Sequence, residues 1–492
     1  MKTLILILIF TFSLFAQHDW SEPVQLSEVG IPGEVLYYDP ITACTGDTLN
    51  TSWIKALKHP DQYLYATQIE VRQSYNGGIY WQDTENITPE YTEYSHDRIF
   101  QLKAVCDSYN NLYVFYMKGL GFDTNSVIFK KYNGLEWSEA DTLTSLASKD
   151  LQVTVDKVDR IYVFWTRNGY QYYTYSDKSV TRVWLEPMMF ENTELNTTIT
   201  NSNFVFDEDN NLYITGNLTG DFKGLRPGLF SYNKSEEKWK DIEEIGSFTA
   251  TSSGCALVLL SDSTLVTNVS VGQYIDEGYN YIVSRKLDTP TWSQPVYLNQ
   301  NTNIYSKRMF TDSVDNIHLI ERYIIDSKSE LISCYTKGNI WNTDTIQADD
   351  VYSYNYFGAV NCNDKLHLCF SRSDHYDPNY NTTSIFFQTK LIDTGIEYDP
   401  QTIPKLPVLF QNYPNPFNSS TQIIYSIPQS GEVKLSVFNS KGELVKDLIN
   451  SKQNKGHHSV MFEANDLNSG IYYYRIEVDG IVKESKKMLY LK

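Results

Sequence analysis

Seven of the nine tryptophans recur in one context: Trp20 in DWSEPVQL, Trp81 in YWQDTENI, Trp137 in EWSEADTL, Trp184 in VWLEPMMF, Trp239 in KWKDIEEI, Trp292 in TWSQPVYL and Trp341 in IWNTDTIQ. Successive copies lie 47 to 61 residues apart. A second series alternates with them: CTGDTLNTSW, CDSYNNLYVF, VDKVDRIYVF, FDEDNNLYIT, LLSDSTLVTN, TDSVDNIHLI and NCNDKLHLCF. Each is a polar turn followed by an apolar strand, whose first residue is Leu49, Leu112, Ile161, Leu212, Leu265, Ile317 or Leu366. A strand, an Asp/Asn-rich tight turn and a second strand make a hairpin. A third strand follows, as in SVIFKKYNG or ELISCYTKG, and then the Trp strand. Four-stranded units repeated every ~50 residues stack to bury their faces, and closing the stack into a ring protects its ends. The expectation is an all-β chain, with a seven-bladed β-propeller over residues 17–397.

Closure follows from a mismatch between the two series. The seventh hairpin has its third strand in SIFFQTKLID, but no Trp strand comes after it. The chain instead begins with an orphan copy, residues 19–27, whose Trp-Ser-Glu-Pro-Val-Gln-Leu echoes Trp292-Ser-Gln-Pro-Val-Tyr-Leu. Residues 19–27 are therefore expected to supply the outer strand of the last blade. Pro23 and Pro295 suit an outer edge, where a missing N–H is tolerated. A six-bladed ring with one degenerate unit is the alternative. Each Trp is expected to fill a gap between blades, and the turn Asp and Asn to cap local N–H groups. Cys44, Cys106 and Cys362 fall in innermost strands, so both a disulfide from Cys44 to either neighbour and buried free thiols remain open.

The two ends differ from this body. Residues 2–16, KTLILILIFTFSLFA, are too short to span a bilayer and end in a small residue, as a cleaved export signal over 1–16 does. A retained anchor is the other reading. No other segment is apolar enough to span, so the mature chain is expected to have no membrane-spanning segment. Residues 398–405 carry closely spaced prolines and read as a linker. After them, alternation in Val433, Leu435 and Val437, with Gly442, Gly470 and Gly480 at turns, predicts a small Ig-like β-sandwich of about seven strands over 406–492.

That C-terminal segment resembles a known family. Tyr413-Pro414-Asn415-Pro416-Phe417-Asn418, the Asn439–Leu444 turn with Gly442, Ser469-Gly470-Ile471-Tyr472 and Lys486-Lys487-Met488 resemble the C-terminal sorting domain of type IX secretion. The resemblance implies export through the periplasm to the outer-membrane surface or beyond, with the type IX machinery as partner and the domain often being cut off. It assigns no catalytic residue there.

Ser74-Tyr-Asn-Gly-Gly-Ile-Tyr-Trp81 resembles the Asp-box of sialidase-like propellers, with Asn76 in place of Asp, and Tyr132–Trp137 is a shorter relative. The resemblance covers residues 19–396 and supports the propeller more than any activity. Sialidase chemistry would require an arginine trio, a Tyr activated by Glu and an acidic donor. The N-terminal Arg-Ile-Pro signature is missing; His96-Asp97-Arg98-Ile99-Phe100 is the nearest approach, in the second unit instead of the first.

Propeller ligands usually meet the face opposite the hairpin turns. The repeat assigns Asp39, Asp97, Arg98, Lys149, Asp150 and Arg308 to the starts of inner strands. Arg167, Tyr170, Asp221, Arg226, Arg322, Arg372 and His375 fall in loops joining second to third strands. Of these, Asp97, Arg98, Arg167, Arg226, Arg308, Arg322 and Arg372 are the candidate ligand-binding residues. Converging arginines can hold a carboxylate or sulfate by bidentate hydrogen bonds, and aromatic faces can stack on sugars. The bland alternative pairs them with neighbouring loop carboxylates.

Composition narrows the partners. The chain has 492 residues and a formal net charge of −19, which argues against nucleic acid or anionic lipid as partner. The sorting segment carries 10 basic against 8 acidic residues, so the negative charge lies on the body. No CxxC, Gly-rich phosphate loop, GxSxG elbow or HExxH occurs, and neither metal nor cofactor is expected. Asp207-Glu-Asp209-Asn-Asn211 opens like a calcium loop but has Leu218 where the closing Glu belongs, so a hairpin turn explains it better. His318 and His367 are expected as packed core residues, and His457-His458 as an exposed turn. The leading expectation is a binding protein for an extracellular glycan or protein; the alternative is a sialidase-like or other polysaccharide-degrading hydrolase or lyase.

Overall fold

The computed structural model describes residues 20–31, 34–45, 48–58, 65–88, 98–119, 125–147, 149–167, 170–177, 183–189, 198–219, 226–236, 238–240, 243–245, 252–271, 279–300, 303–325, 328–337, 340–347, 353–373, 383–392, 407–409, 412, 417–464 and 467–491. The expected export signal and linker lie outside them, as do Asp97, Asp221, His375 and residues 413–416.

The described strands up to residue 392 form seven separate antiparallel sheets. The first consists of Val35–Thr45, Thr48–Lys58, Tyr65–Ser74 and Glu85–Asn86, side by side in chain order. The next six begin with Arg98–Cys106, Lys149–Val155, Thr198–Phe206, Ser252–Leu259, Asn303–Thr311 and Ser353–Cys362. In the seventh, the outer place is taken by Val24–Gln25, which pair with Phe387 and Phe386. Trp20 bridges Lys390, and the Leu26 N–H donates to the Ile385 carbonyl at 2.7 Å. The start of the chain thus completes its last sheet.

The first strand of each sheet packs against those of the sheets before and after, and the seventh against the first, so the inner strands close a circuit. A disulfide between Cys44 and Cys362 ties the first and seventh inner strands, with Cα atoms 6.4 Å apart and 318 residues between them in sequence. Cys106, Cys255, Cys334 and Cys369 are free thiols.

Seven apolar clusters fill the spaces between neighbouring sheets, and each includes one repeat tryptophan. Trp184 of the third sheet meets Phe115 and Phe129 of the second at 5.9 and 5.3 Å between ring centroids. Trp81 meets Phe387 of the seventh edge-on at 4.7 Å. Most of these tryptophans precede the outer strand instead of lying in it. Trp137 and Trp184 make isolated bridges to Tyr132 and Ser176, ahead of Asp141–Ala147 and Met188–Met189. A large ring wedged between sheets leaves the backbone around it too displaced for regular pairing.

The Ser74–Trp81 turn shows why its residues are needed. The Gly78 N–H donates to Ser74 Oγ and the Tyr80 N–H to Asn76 Oδ1, both at 2.9 Å. Gly78 has φ +89°, and a Cβ there would come within 2.5 Å of the Phe387 ring, so no other residue fits.

The hairpin turns form a belt. Asp107, Asp156, Asp207 and Asp312 each accept from the N–H four residues on, at 2.8–2.9 Å. The calcium-loop stretch at Asp207 is therefore one such turn. A second residue, in left-handed conformation, reaches the preceding sheet: Asp159 accepts from the Ser108 N–H at 2.8 Å, Asp315 from Ser261 at 3.1 Å and Asp364 from Ser313 at 2.9 Å. Asp and Asn tolerate that conformation and carry the acceptor.

Beyond residue 407 two sheets enclose one apolar cluster. Val408–Leu409, Ser420–Ile427 and Gly456–Glu463 make one; Leu444–Gln453, Gly431–Asn439, Gly470–Val478 and Ile481–Tyr490, in that spatial order, make the other. Phe417 is buried against Phe462 and Tyr490, and its backbone bonds to Leu489 and Leu491 on both sides. Asn439 caps the turn at Gly442, which has φ +82°. Gly470 opens a strand instead of marking a turn, and Tyr472 donates to the Asn468 carbonyl at 2.8 Å. Lys486 pairs with Glu484, and Lys487 lies opposite Tyr473 in the sheet. The expected exposed turn at His457-His458 is instead part of a strand, with His458 stacked on Tyr425.

Candidate functional site

Every inner strand breaks register at the same level. The shifts fall between Tyr38 and Ile41, Phe100 and Lys103, Lys149 and Gln152, Thr200 and Asn203, Ser252 and Cys255, Ile304 and Ser306, and Tyr354 and Phe357. Such bulges bend a strand and re-aim its side chains. Asp39, Gln101 and Asp150 adopt φ +52°, +53° and +60° there. Asp39 Oδ2 accepts the Leu102 N–H and Gln101 Oε1 the Leu151 N–H, both at 2.8 Å, so the bulges of the first three sheets are stapled in series.

Around this level, charges from separate sheets meet. Arg308, on the sixth inner strand, is acted on by Asp39 of the first. Lys103, on the second, is acted on by both Arg308 and Asp39. The sixth sheet neighbours neither the first nor the second, so these side chains sense one another across the ring axis. Tyr38 is influenced by Asp39, Tyr356 and Arg98, and Tyr356 by Asp39 and Arg322. The Tyr38 and Tyr356 rings lie 6.1 Å apart. Arg98, Arg308 and Arg322 thus gather with Asp39 and two tyrosines.

The cluster has an open and a closed end. Arg98 is exposed and Tyr356 half-exposed, while Lys103 and Arg308, further along their strands, keep only partial contact with solvent and are enclosed by protein. Burial, reinforced by Arg308, pulls Lys103 down to about 8. Burial also lowers Arg308, which stays charged. Burial and the Asp39 charge raise both tyrosines, so their phenols remain protonated hydrogen-bond donors at neutral pH.

The other candidates behave differently. Arg372 lies over the Phe386 ring at 4.0 Å and Arg167 over Tyr172 at 5.9 Å, each on its own sheet. The Arg226 side chain lies outside the described residues. Asp150 accepts from Thr166 Oγ1 at 3.4 Å and burial raises its carboxyl.

A second polar group fills the space between the fifth and sixth sheets. Lys307 donates to Asn268 and Ser270 at 2.7 and 2.6 Å, Asn268 to Asn280, and Asn280 to Glu321 at 2.9 Å. Tyr323 donates to Glu321 at 2.5 Å, and both are fully buried. This tyrosine–glutamate pair is closed to solvent. Its neighbours along the two strands, Arg308 and Arg322, belong to the axial cluster, so the network anchors the strands that carry them.

His318 stacks on Tyr335 with Nε2 3.2 Å from Asp312, and His367 stacks on Phe387, its burial lowering it to about 3. Both are packing residues. Among the described residues no three His, Cys, Asp or Glu gather as metal ligands. Tyr38, Lys103 and Tyr356 escaped the sequence reading. Their one signal is adjacency to the bulge level that Asp39 marks, or, for Lys103, a lysine within an otherwise buried inner strand.

The second unit has a family. Residues 411–490 match the secretion system C-terminal sorting domain. This sorting domain marks the chain for type IX secretion, to the cell surface or outside. No curated protein matches the sequence. Among solved structures, a PL25 polysaccharide lyase, an ulvan lyase, is similar at 12% identity with TM-score 0.50, covering 74% of this chain and 95% of its own. The intramolecular trans-sialidase from Ruminococcus gnavus reaches TM-score 0.42 at 12% identity, over 75% of this chain and 97% of its own. NanB sialidase from Streptococcus pneumoniae reaches 0.43 at 12%, over 75% and 71%. The ulvan lyase likeness places the body among β-propeller folds.

Proposed function

We propose that this chain is a secreted seven-bladed β-propeller that binds an acidic extracellular glycan at its axial mouth. Residues 1–16 act as the export signal, 17–397 as the propeller with 19–27 closing its last blade, 398–405 as linker and 406–492 as an Ig-like sorting sandwich. Asn76 and its turn serve as an Asp-box-type staple. The observation that carries the reading is the gathering of Arg98, Arg308 and Arg322 beside Tyr38 and Tyr356. Guanidinium groups pair with a carboxylate or sulfate, and tyrosine faces stack on a sugar ring. A glycan array probed with the purified protein is expected to return carboxylated or sulfated glycans, with signal lost in Arg322→Ala. Binding confined to neutral glycans, or unchanged in that variant, contradicts the reading.

A second reading, a polysaccharide lyase or hydrolase, draws on the same mouth, because two protonated phenols beside arginines are groups able to donate a proton. The binding reading is preferred. The phenols are shifted away from the nucleophilic form, and the buried Tyr323–Glu321 pair has no route to substrate. Turnover of uronate polymers or fluorogenic sialosides, abolished by Tyr356→Phe, decides for the enzyme. Deleting residues 406–492 is expected to leave the propeller folded in the periplasm; normal surface delivery contradicts the sorting role.

A further inference from the structure

Two cations near the ring axis lack a counter-charge in contact. Lys103 has neither a hydrogen bond nor an ion pair among the described residues, and Arg308 donates from Nη1 only to the Lys307 carbonyl, at 3.1 Å. Among the described residues, Asp39 is the one carboxylate that acts on both. Its Oδ2 already accepts the Leu102 N–H, and it is in ion-pair contact with neither. Two cations and one carboxylate leave a net positive charge in an enclosed space. Desolvated charge of that kind is costly unless a mobile counter-ion joins it. A guanidinium offers paired donors to an oxyanion, and an ammonium adds a point charge.

We propose that Lys103 and Arg308 hold one small inorganic oxyanion on the ring axis, between the second and sixth sheets. The site lies deeper than Arg98 and Tyr356 and does not depend on the glycan reading, which rests on Arg98, Arg322 and the two tyrosines. Its consequence is structural: the bound ion ties together sheets that share no interface, so it favours the closed ring over any opened form.

Calorimetric titration of the full chain with sodium sulfate in an anion-poor buffer at pH 7 is the test. A saturable one-to-one isotherm is expected, with a matching rise in melting temperature. Lys103→Met and Arg308→Gln are each expected to remove the saturable heat, while Arg98→Ala keeps it. Between pH 7 and 9.5 the affinity of the native chain is expected to fall by more than ~tenfold, because Lys103 loses its proton over that range. Heats that do not saturate, or that are equal in the native chain and Lys103→Met, overturn the proposal as a general salt effect. Should Lys103→Met fail to fold, the pH series decides: sulfate affinity unchanged from pH 7 to 9.5 overturns it.

Discussion

Single residues in the hairpin turns do two jobs at separate positions. Asp312 closes its own turn, whereas Asp315, in left-handed conformation, accepts backbone and hydroxyl donors from Ser261 of the preceding sheet. Asp315→Ala is expected to cost about 1–3 kcal/mol in denaturant unfolding, and Asp315→Asn less, because asparagine keeps both the conformation and an acceptor. An equal loss in the two variants contradicts this role. Lys103 supplies a pH-dependent prediction. Its folded value of about 8 lies below the ordinary lysine value of 10.5, so the unfolded chain binds more protons between those values. Its contribution to stability therefore rises with pH across that window. Without bound anion, Lys103→Met is expected to be more stable than the native chain at pH 7, and that advantage to vanish by pH 10.5.

At the scale of elements, what repeats in sequence is what every sheet needs alike. The gap between sheets demands a large flat side chain, hence Trp20 through Trp341, and the hairpin demands an acceptor that tolerates positive φ. Both were legible for that reason. The bulges were not. Asp39, Gln101 and Asp150 share a conformation, yet the fourth to seventh inner strands bend at the same level with other residues, because the bend is set by crowding round the axis. The axial cluster depends on those bends, so the sequence pointed to Arg98, Arg308 and Arg322 while missing Tyr38, Lys103 and Tyr356. Trp184→Ala, which empties a space against Phe115 and Phe129, is expected to destabilise by about 3–5 kcal/mol in the same unfolding assay. In the sorting domain, Phe417→Ala is expected to cost a similar ~3–5 kcal/mol and to reduce secretion, since this side chain locks the C-terminal strand. Secretion at the native level from a domain so weakened would separate sorting from folding.

For the whole molecule, the ring is joined twice at one seam. Val24–Gln25 complete the last sheet, and the Cys44–Cys362 bond ties its inner strand to the first. Linking positions 318 residues apart gives the chain-entropy effect its near-maximal size, on the order of 5 kcal/mol. Cys44→Ser is expected to lower the melting temperature markedly, and the four free thiols, each raised by burial, to react with maleimide only on unfolding. The seam also sets the site, because Tyr38 and Asp39 stand on one side of it and Tyr356 on the other. The acidic body adds a constraint: with a net charge of −19 on the chain, an anionic ligand gains little from long-range attraction and must be won by contacts at the mouth. The most direct measurement is therefore isothermal titration of a uronate or sulfated oligosaccharide into the native protein and an Arg98→Ala/Arg322→Ala variant of verified fold. Specific binding by the native protein, weakened at least ~tenfold in the variant, is the predicted result; equal affinity in the two, or none in either, would contradict an axial glycan site.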